Sequence, residues 1–347
     1  MLSQIHMLPL LFDMILAFKP CPDHCLCYES SDLVDCQSRG LTHIPHNIAH
    51  GTWLLDLSRN KLTEVRSNSF IGLWSLRILL LSNSSIRMLQ QQSLSSLQFL
   101  ERLDLSFNQL QWLPRDFSQS LSALQELRLD HNLLQHLSSP SLDHFENLRK
   151  LDVSYNHIRA MEGKVFNSLS HMNRLNLEGN RLNVLKDDLL TRQQNLEVLL
   201  LGHNNLSLIE TEALAPLWSL TLLGLQGNQL VHLKFKTFLN LHTTSTHLQL
   251  SLNPWTCDCE LHRVFSKIKH VRYLNVEDYD DIVCHAPALQ AGINLSSMDS
   301  QLCITETASV LVITITVVLA VIGALIKAER NRKSKQAITD ANSNRKL

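Results

Sequence analysis

Leu100-Glu101-Arg102-Leu103-Asp104-Leu105-Ser106-Phe107-Asn108-Gln109-Leu110 is followed, 24 residues on, by Leu124-Gln125-Glu126-Leu127-Arg128-Leu129-Asp130-His131-Asn132-Leu133-Leu134. Both segments read L-x-x-L-x-L-x-x-N-x-L. Carried outward in the same phase, the asparagine column is Asn60, Asn108, Asn132, Asn156, Asn180, Asn204, Asn228 and Asn253, with Ser84 in the one missing place. The leucine column three residues earlier is Leu57, Leu81, Leu105, Leu129, Val153, Leu177, Leu201, Leu225 and Leu250. Ten residues after the asparagine comes Phe70, Leu94, Leu142, Phe166, Leu190, Leu214 and Phe238, broken by Ser118. A fixed period of this length is the mark of a stacked repeat architecture.

The L-x-L segment has period two, so each turn sends two leucines inward from one short strand. The asparagine reads as an inward polar residue that bonds backbone groups where the chain leaves the strand. Ser84 is smaller and satisfies fewer such bonds, so a local weak point of about 1 kcal/mol is expected there. One repeat cannot bury its own apolar edge, and stability must come from stacking neighbours into a continuous core. A coiled coil would need a 3.5-residue period, which this register does not supply.

Composition agrees. Leucine supplies 70 of 347 residues, glycine only 10 and proline 9, and the net charge is −1. That balance is too neutral for a nucleic-acid binder and too apolar for a disordered chain.

All eight cysteines lie outside the repeats, as Cys21, Cys25, Cys27 and Cys36 at one end and Cys257, Cys259, Cys284 and Cys303 at the other. Two compact, even clusters imply an oxidising compartment and disulfide-tied caps over the terminal repeats. Each cluster allows three pairings, and spacing does not choose among them. A zinc site that includes His285 is the rival reading, but the tight pairs are C-x-C rather than the usual C-x2-C.

At Cys21-Pro22-Asp23-His24-Cys25-Leu26-Cys27, Leu41-Thr42-His43-Ile44-Pro45 and Asn253-Pro254-Trp255-Thr256-Cys257-Asp258-Cys259 the chain resembles the extracellular leucine-rich-repeat family with cysteine-rich caps. The resemblance covers residues 21 to 303 and implies the pairs Cys21–Cys27, Cys25–Cys36, Cys257–Cys284 and Cys259–Cys303. It implies an α/β solenoid with a curved parallel sheet on its concave face. The expected organisation is signal peptide 1–17, N-terminal cap 18–50, nine repeats 51–254, C-terminal cap 255–303, juxtamembrane residues 304–307, transmembrane helix 308–326 and basic cytoplasmic tail 327–347.

The membrane reading rests on residues 308–326, which carry no charge and, at about 1.5 Å each, span a bilayer core of about 30 Å. Lys327, Arg330, Arg332, Lys333 and Lys335 follow, against one acid, Glu329, and place the C-terminus in the cytoplasm. At the other end, Met7 to Phe18 reads as a signal-peptide core, although it contains Asp13 and lacks a basic leader. The tail holds seven basic and two acidic residues, which leaves −6 on the rest. An acidic exterior argues against heparin or nucleic acid as the main partner. The expected setting is a type I plasma-membrane protein in contact with the lipid bilayer.

Side chains between the inward leucines form the exposed face of the sheet, the usual binding surface of a solenoid. Before the asparagines stand Arg59, Asn83, Phe107, His131, Tyr155, Gly179, His203 and Gly227; between the paired leucines stand Asp56, Leu80, Asp104, Arg128, Asp152, Asn176, Leu200, Gly224 and Gln249. Phe107, His131, Tyr155 and Arg128, with the apolar group Val198, Leu200 and Leu222, are the candidate binding residues, because aligned aromatics and arginine compose interface hot spots. Three N-x-S sequons, at Asn83, Asn205 and Asn294, are candidate glycosylation sites.

No G-x-S-x-G, H-E-x-x-H or phosphate-binding glycine loop occurs, so no catalytic residue, cofactor, metal or small-molecule substrate is expected. The leading expectation is a protein ligand, extracellular or membrane-bound, in an adhesion, receptor or co-receptor role, as in similar family members. The alternative is an auxiliary subunit of an ion channel such as a large-conductance potassium channel, a role that some small proteins of similar layout serve. The membrane helix and its flanking lysines and arginines would then do the work.

Overall fold

The computed structural model describes residues 20–239, 241, 243–298 and 300–343. The expected signal peptide and the last four residues of the tail lie outside them. Among the described residues one sheet of twelve strands runs the length of the array. It opens with Leu26–Tyr28 antiparallel to Leu33–Asp35, and every later pair is parallel. Nine strands at the repeat period follow, from Leu54–Asp56 to Thr246–Gln249, and Leu274–Val276 closes the edge.

Register is constant because the period is constant. Leu103 pairs with Leu127, Leu127 with Leu151, Leu151 with Leu175, Leu175 with Leu199 and Leu199 with Leu223. Each inward leucine therefore packs on its equivalent one repeat away, and all are buried. Among the described residues the return segments hold turns, the parallel strand pairs Glu64–Val65 with Met88–Leu89 and Val184–Leu185 with Leu208–Ile209, and the short helices Ser139–Leu142 and Phe235–Leu239. Phe70, Leu94, Leu142, Phe166, Leu190, Leu214 and Phe238 fill the return side. Ser118 holds the remaining place, fully buried, with its hydroxyl accepting from the His144 amide at 3.1 Å. Strands advance about 4.8 Å per repeat, less than packed rings need, so the sheet is the concave side.

The buried asparagines bind repeat to repeat. Asn156 donates through Nδ2 to the carbonyls of Leu129, Val153 and Ser154, each at 3.0 Å, and its Oδ1 accepts from the Leu134 amide at 3.0 Å. Asn108, Asn132, Asn180, Asn204, Asn228 and Asn253 bond in the same way. The Ser84 hydroxyl reaches the Leu57 carbonyl at 3.0 Å and accepts from the Asn60 amide at 3.3 Å. It makes no bond to the Leu62 amide equivalent to the one Asn108 Oδ1 makes to Ile86.

Disulfides Cys21–Cys27 and Cys25–Cys36 tie the first cap, and Cys257–Cys284 and Cys259–Cys303 the second. All eight cysteines are consumed, which leaves no thiolate for the zinc alternative. In the second cap the Asp258 side chain caps helix Cys259–His270 by accepting from the Leu261 amide at 2.8 Å. That helix buries Leu261, Val264, Phe265 and Ile268, and Phe265 meets the buried Trp255 edge-on. The apolar end of the stack is thereby covered.

A single helix runs from Ser300 to Ser343 through the juxtamembrane residues, the apolar segment and most of the tail. No glycine or proline falls between 304 and 322 or after Gly323 to interrupt it. Its first turn holds Cys303, so the helix is tied covalently to the cap.

Candidate functional site: the concave face

The residue before each asparagine has a backbone that composition does not advertise. Arg59, Asn83, Phe107, His131, Tyr155, His203 and Leu252 all have φ between +51° and +57°, and Gly179 and Gly227 have +66°. A left-handed residue turns the chain off the strand so that the next side chain, the asparagine, points back inward. Each non-glycine residue there costs about 1 kcal/mol, which the asparagine bonds offset.

The same conformation aims these side chains along the array. Phe107 and His131 stack with ring centres 4.1 Å apart, and His131 and Tyr155 stack at 4.7 Å. Tyr155 then lies against Gly179, where a β-carbon would stand 2.5 Å from Cδ1; His203 lies likewise on Gly227. The three sequence candidates thus form one ladder. Phe107 and Tyr155 are each about half exposed, 50% and 46%. Burial first, then Glu178 and Asp152, hold the Tyr155 hydroxyl above the ordinary tyrosine range.

Arg128 is spent mainly on its neighbours. Nε and Nη2 meet the buried Asp130 carboxylate at 3.2 and 3.3 Å, and Nη1 meets Asp104 at 3.5 Å. Burial opposes its charge, but Asp104, Asp130 and Asp152 more than offset this and raise its pKa. Asp130 also meets His131 Nδ1 at 3.2 Å, so the charged cluster buttresses the aromatic ladder. Ser106 and Ser154 hydroxyls donate to Asp104 and Asp152 at 2.6 Å. The centre of the face is acidic and rigid.

Val198 and Leu222 are direct partners on adjacent strands, and Leu200 pairs with Gly224. All three are half-buried and form one apolar surface. It lies two strands beyond Tyr155, about 10 Å away. A second apolar group escaped the sequence reading. Leu54 pairs with Ile78, and Leu80 lies beside Asp56 and Asp104. Leu54 and Ile78 each stand one residue before the first inward leucine of their strand, Leu55 and Leu79, the same position that Val198 and Leu222 hold. A further apolar column, Met88, Trp112, Val184 and Leu208, lies exposed four residues after each asparagine position, on the flank.

The sequon asparagines are all exposed. Asn83 belongs to the left-handed column, Asn205 follows the buried Asn204, and Asn294 donates through Nδ2 to the Asp280 carbonyl at 3.0 Å. Leu311–Lys333 is long and apolar enough to cross a membrane by length and composition. Lys327, Arg330, Arg332 and Lys333 are exposed on that helix, and at about 100° per residue they surround it. Lys333 pairs with Glu329 at 3.3 Å. Among the described residues no three acidic, histidine or cysteine groups gather as a metal site.

The chain belongs to the leucine-rich-repeat family, whose profile matches residues 54–110, 99–158, 146–192 and 170–230, just over half of the chain. Asporin of Bos taurus is 43% identical over 65 residues, 19% of this chain and 17% of asporin. Leucine-rich repeat-containing G-protein coupled receptor 5A of Xenopus laevis is 35% identical over 95 residues, 20% of this chain and 10% of the receptor. The chain therefore matches less than a fifth of either relative. Among solved structures, human 5T4, also called trophoblast glycoprotein, superposes with a TM-score of 0.62 at 23% identity, covering 82% of this chain and 98% of that one. A chain of the octameric complex of Latrophilin 3, Unc5D and FLRT2 gives 0.58 at 23% identity, covering 81% and 98%. The mouse RP105/MD-1 complex gives 0.60 at 22%, covering 76% and 53%. At these identities the likeness is one of fold: a capped leucine-rich-repeat solenoid.

Proposed function

We propose that this is a single-pass type I membrane protein of the cell surface whose exterior repeats bind another protein through the concave face. The observation that carries the reading is the ladder Phe107–His131–Tyr155, half-exposed aromatics held on a rigid sheet beside the apolar group Val198, Leu200 and Leu222. Rings that lose little freedom on binding, next to apolar surface, are what interface hot spots are made of. Disulfide caps support an oxidising exterior, and the basic ring after the apolar helix supports a cytoplasmic tail. Named complexes among the structural neighbours, RP105 with MD-1 and FLRT2 with Latrophilin 3 and Unc5D, lend the protein-binding role by analogy.

Proximity labelling on intact cells with the full chain tests it. Tyr155→Glu and Leu200→Glu should abolish labelling of a defined surface protein, while Ile71→Glu, in a turn opposite the sheet, should retain it. A labelled set unaltered by both face variants sinks the reading. Grafting residues 300–347 onto an unrelated exterior domain separates the channel-subunit alternative, which needs only the helix with Lys327, Arg330, Arg332 and Lys333.

A further inference from the structure

Asn83 stands one repeat before Phe107 in the left-handed column, with φ +51° against +54°. Every ring in that column leans toward the next repeat: Phe107 onto His131, His131 onto Tyr155, Tyr155 onto Gly179 and His203 onto Gly227. His131 and Tyr155 therefore have both faces covered. Phe107 has one face on His131, and its other face is turned toward the repeat of Asn83. An Asn83 side chain that follows the column's direction delivers its amide to that open face. Asn83 is exposed and heads the sequon Asn83-Ser84-Ser85.

We infer that Asn83 carries an N-linked glycan whose first N-acetylglucosamine packs on the open face of Phe107 and completes the ladder. The apolar C–H face of a pyranose ring suits the negative face of an aromatic ring, as stacked rings in proteins do. Attachment forms the bond from Asn83 Nδ2 to the sugar's anomeric carbon and breaks that carbon's bond to the pyrophosphate of its lipid carrier, which leaves as the lipid pyrophosphate while the amide gives up one proton. The contact has a consequence for the face as a whole. Leu80 is three residues before Asn83, and Leu54 and Ile78 lie beside it, so the sugar covers the N-terminal apolar group. Of the two apolar groups, Val198, Leu200 and Leu222 remain open to a partner.

The inference rests on the exterior location proposed above, and the test separates the two. The full chain is made in mammalian cells, and glycopeptide mass spectrometry measures occupancy at Asn83, Asn205 and Asn294. Native glycosidase release is then timed site by site. Phe107→Leu keeps apolar bulk but removes the ring, and should speed release at Asn83 on the order of fivefold, with Asn205 unchanged. Phe107→Tyr should leave release slow. Equal release rates in all three proteins overturn the contact, as does a bare Asn83 beside an occupied Asn205 or Asn294. Three bare sequons overturn the contact and count against the exterior location as well.

Discussion

The Tyr155 ring lies on the backbone of Gly179, so close that a β-carbon at Gly179 would stand 2.5 Å from Cδ1 and 2.8 Å from Cε1. The glycine also has φ +66°. Gly179→Ala combines about 1 kcal/mol of left-handed strain with displacement of a packed ring, about 2 to 3 kcal/mol together. Gly40 and Gly292 provide the control, having φ +68° and +84° but nothing within 4 Å of a β-carbon. Alanine there should cost the backbone share alone. Thermal unfolding of the three variants measures the difference, and near-ultraviolet circular dichroism should change only for Gly179→Ala.

Ser84 and Asn156 occupy equivalent places with unequal bonding. Asn156→Ala strips partners from three carbonyls and the Leu134 amide in the buried interior, and should cost on the order of 3 kcal/mol. Ser84→Asn should do the reverse and stabilise by about 1 kcal/mol, because it supplies an acceptor for the Leu62 amide. A lower melting temperature for Ser84→Asn would mean that the turns around Ser84 have closed too tightly for the longer side chain.

The period of the array was legible because a single bonding device, the inward asparagine, recurs at every turn and tolerates only one exception. The left-handed column was not. Phe107 and Tyr155 are residues that ordinarily avoid positive φ, and only Asn83, the histidines His131 and His203, and the glycines Gly179 and Gly227 hinted at it. Reading these aromatics as exposed was within reach of alternation along a strand; that they stack face to face was not, because stacking depends on the shared backbone twist. Arg128 illustrates the opposite limit. Its residue type suggested a binding group, but the buried Asp130, two residues further along the same repeat, engages its Nε and Nη2, and Asp104 its Nη1. Helix Ser300–Ser343 runs through a change in hydropathy near residue 308, because helical hydrogen bonding does not depend on which side chains are apolar.

The raised Tyr155 hydroxyl has a definite sign in alkaline unfolding. Its folded pKa exceeds the unfolded value, so the folded state holds the proton more tightly. Stability from this source is complete below the unfolded tyrosine pKa and is lost as pH rises through the folded one. Difference absorbance between the protein and Tyr155→Phe should show ionisation later than for free tyrosine. Burial is the first cause and Glu178 and Asp152 follow, so Glu178→Gln with Asp152→Asn should bring it down only part of the way. A full return to the free-tyrosine titration would mean that charge, not burial, dominates.

Cys259 and Cys303 join the first turn of the cap helix to the first turn of the long C-terminal helix across 44 residues. By chain-entropy reasoning that loop contributes about 4 kcal/mol, against about 2 kcal/mol for the six-residue separation of Cys21 and Cys27. Removing both members of each pair by serine should therefore lower the unfolding temperature more at the C-terminal end. The stronger consequence is mechanical. With the bridge intact, the start of the long helix cannot move away from the start of the cap helix by more than a disulfide allows. Cys259→Ser with Cys303→Ser should leave the repeats folded but open the cap-to-helix junction to limited proteolysis. Cleavage there at the same rate as in the unaltered chain would mean that packing of the cap alone, without the bridge, holds the helix in place.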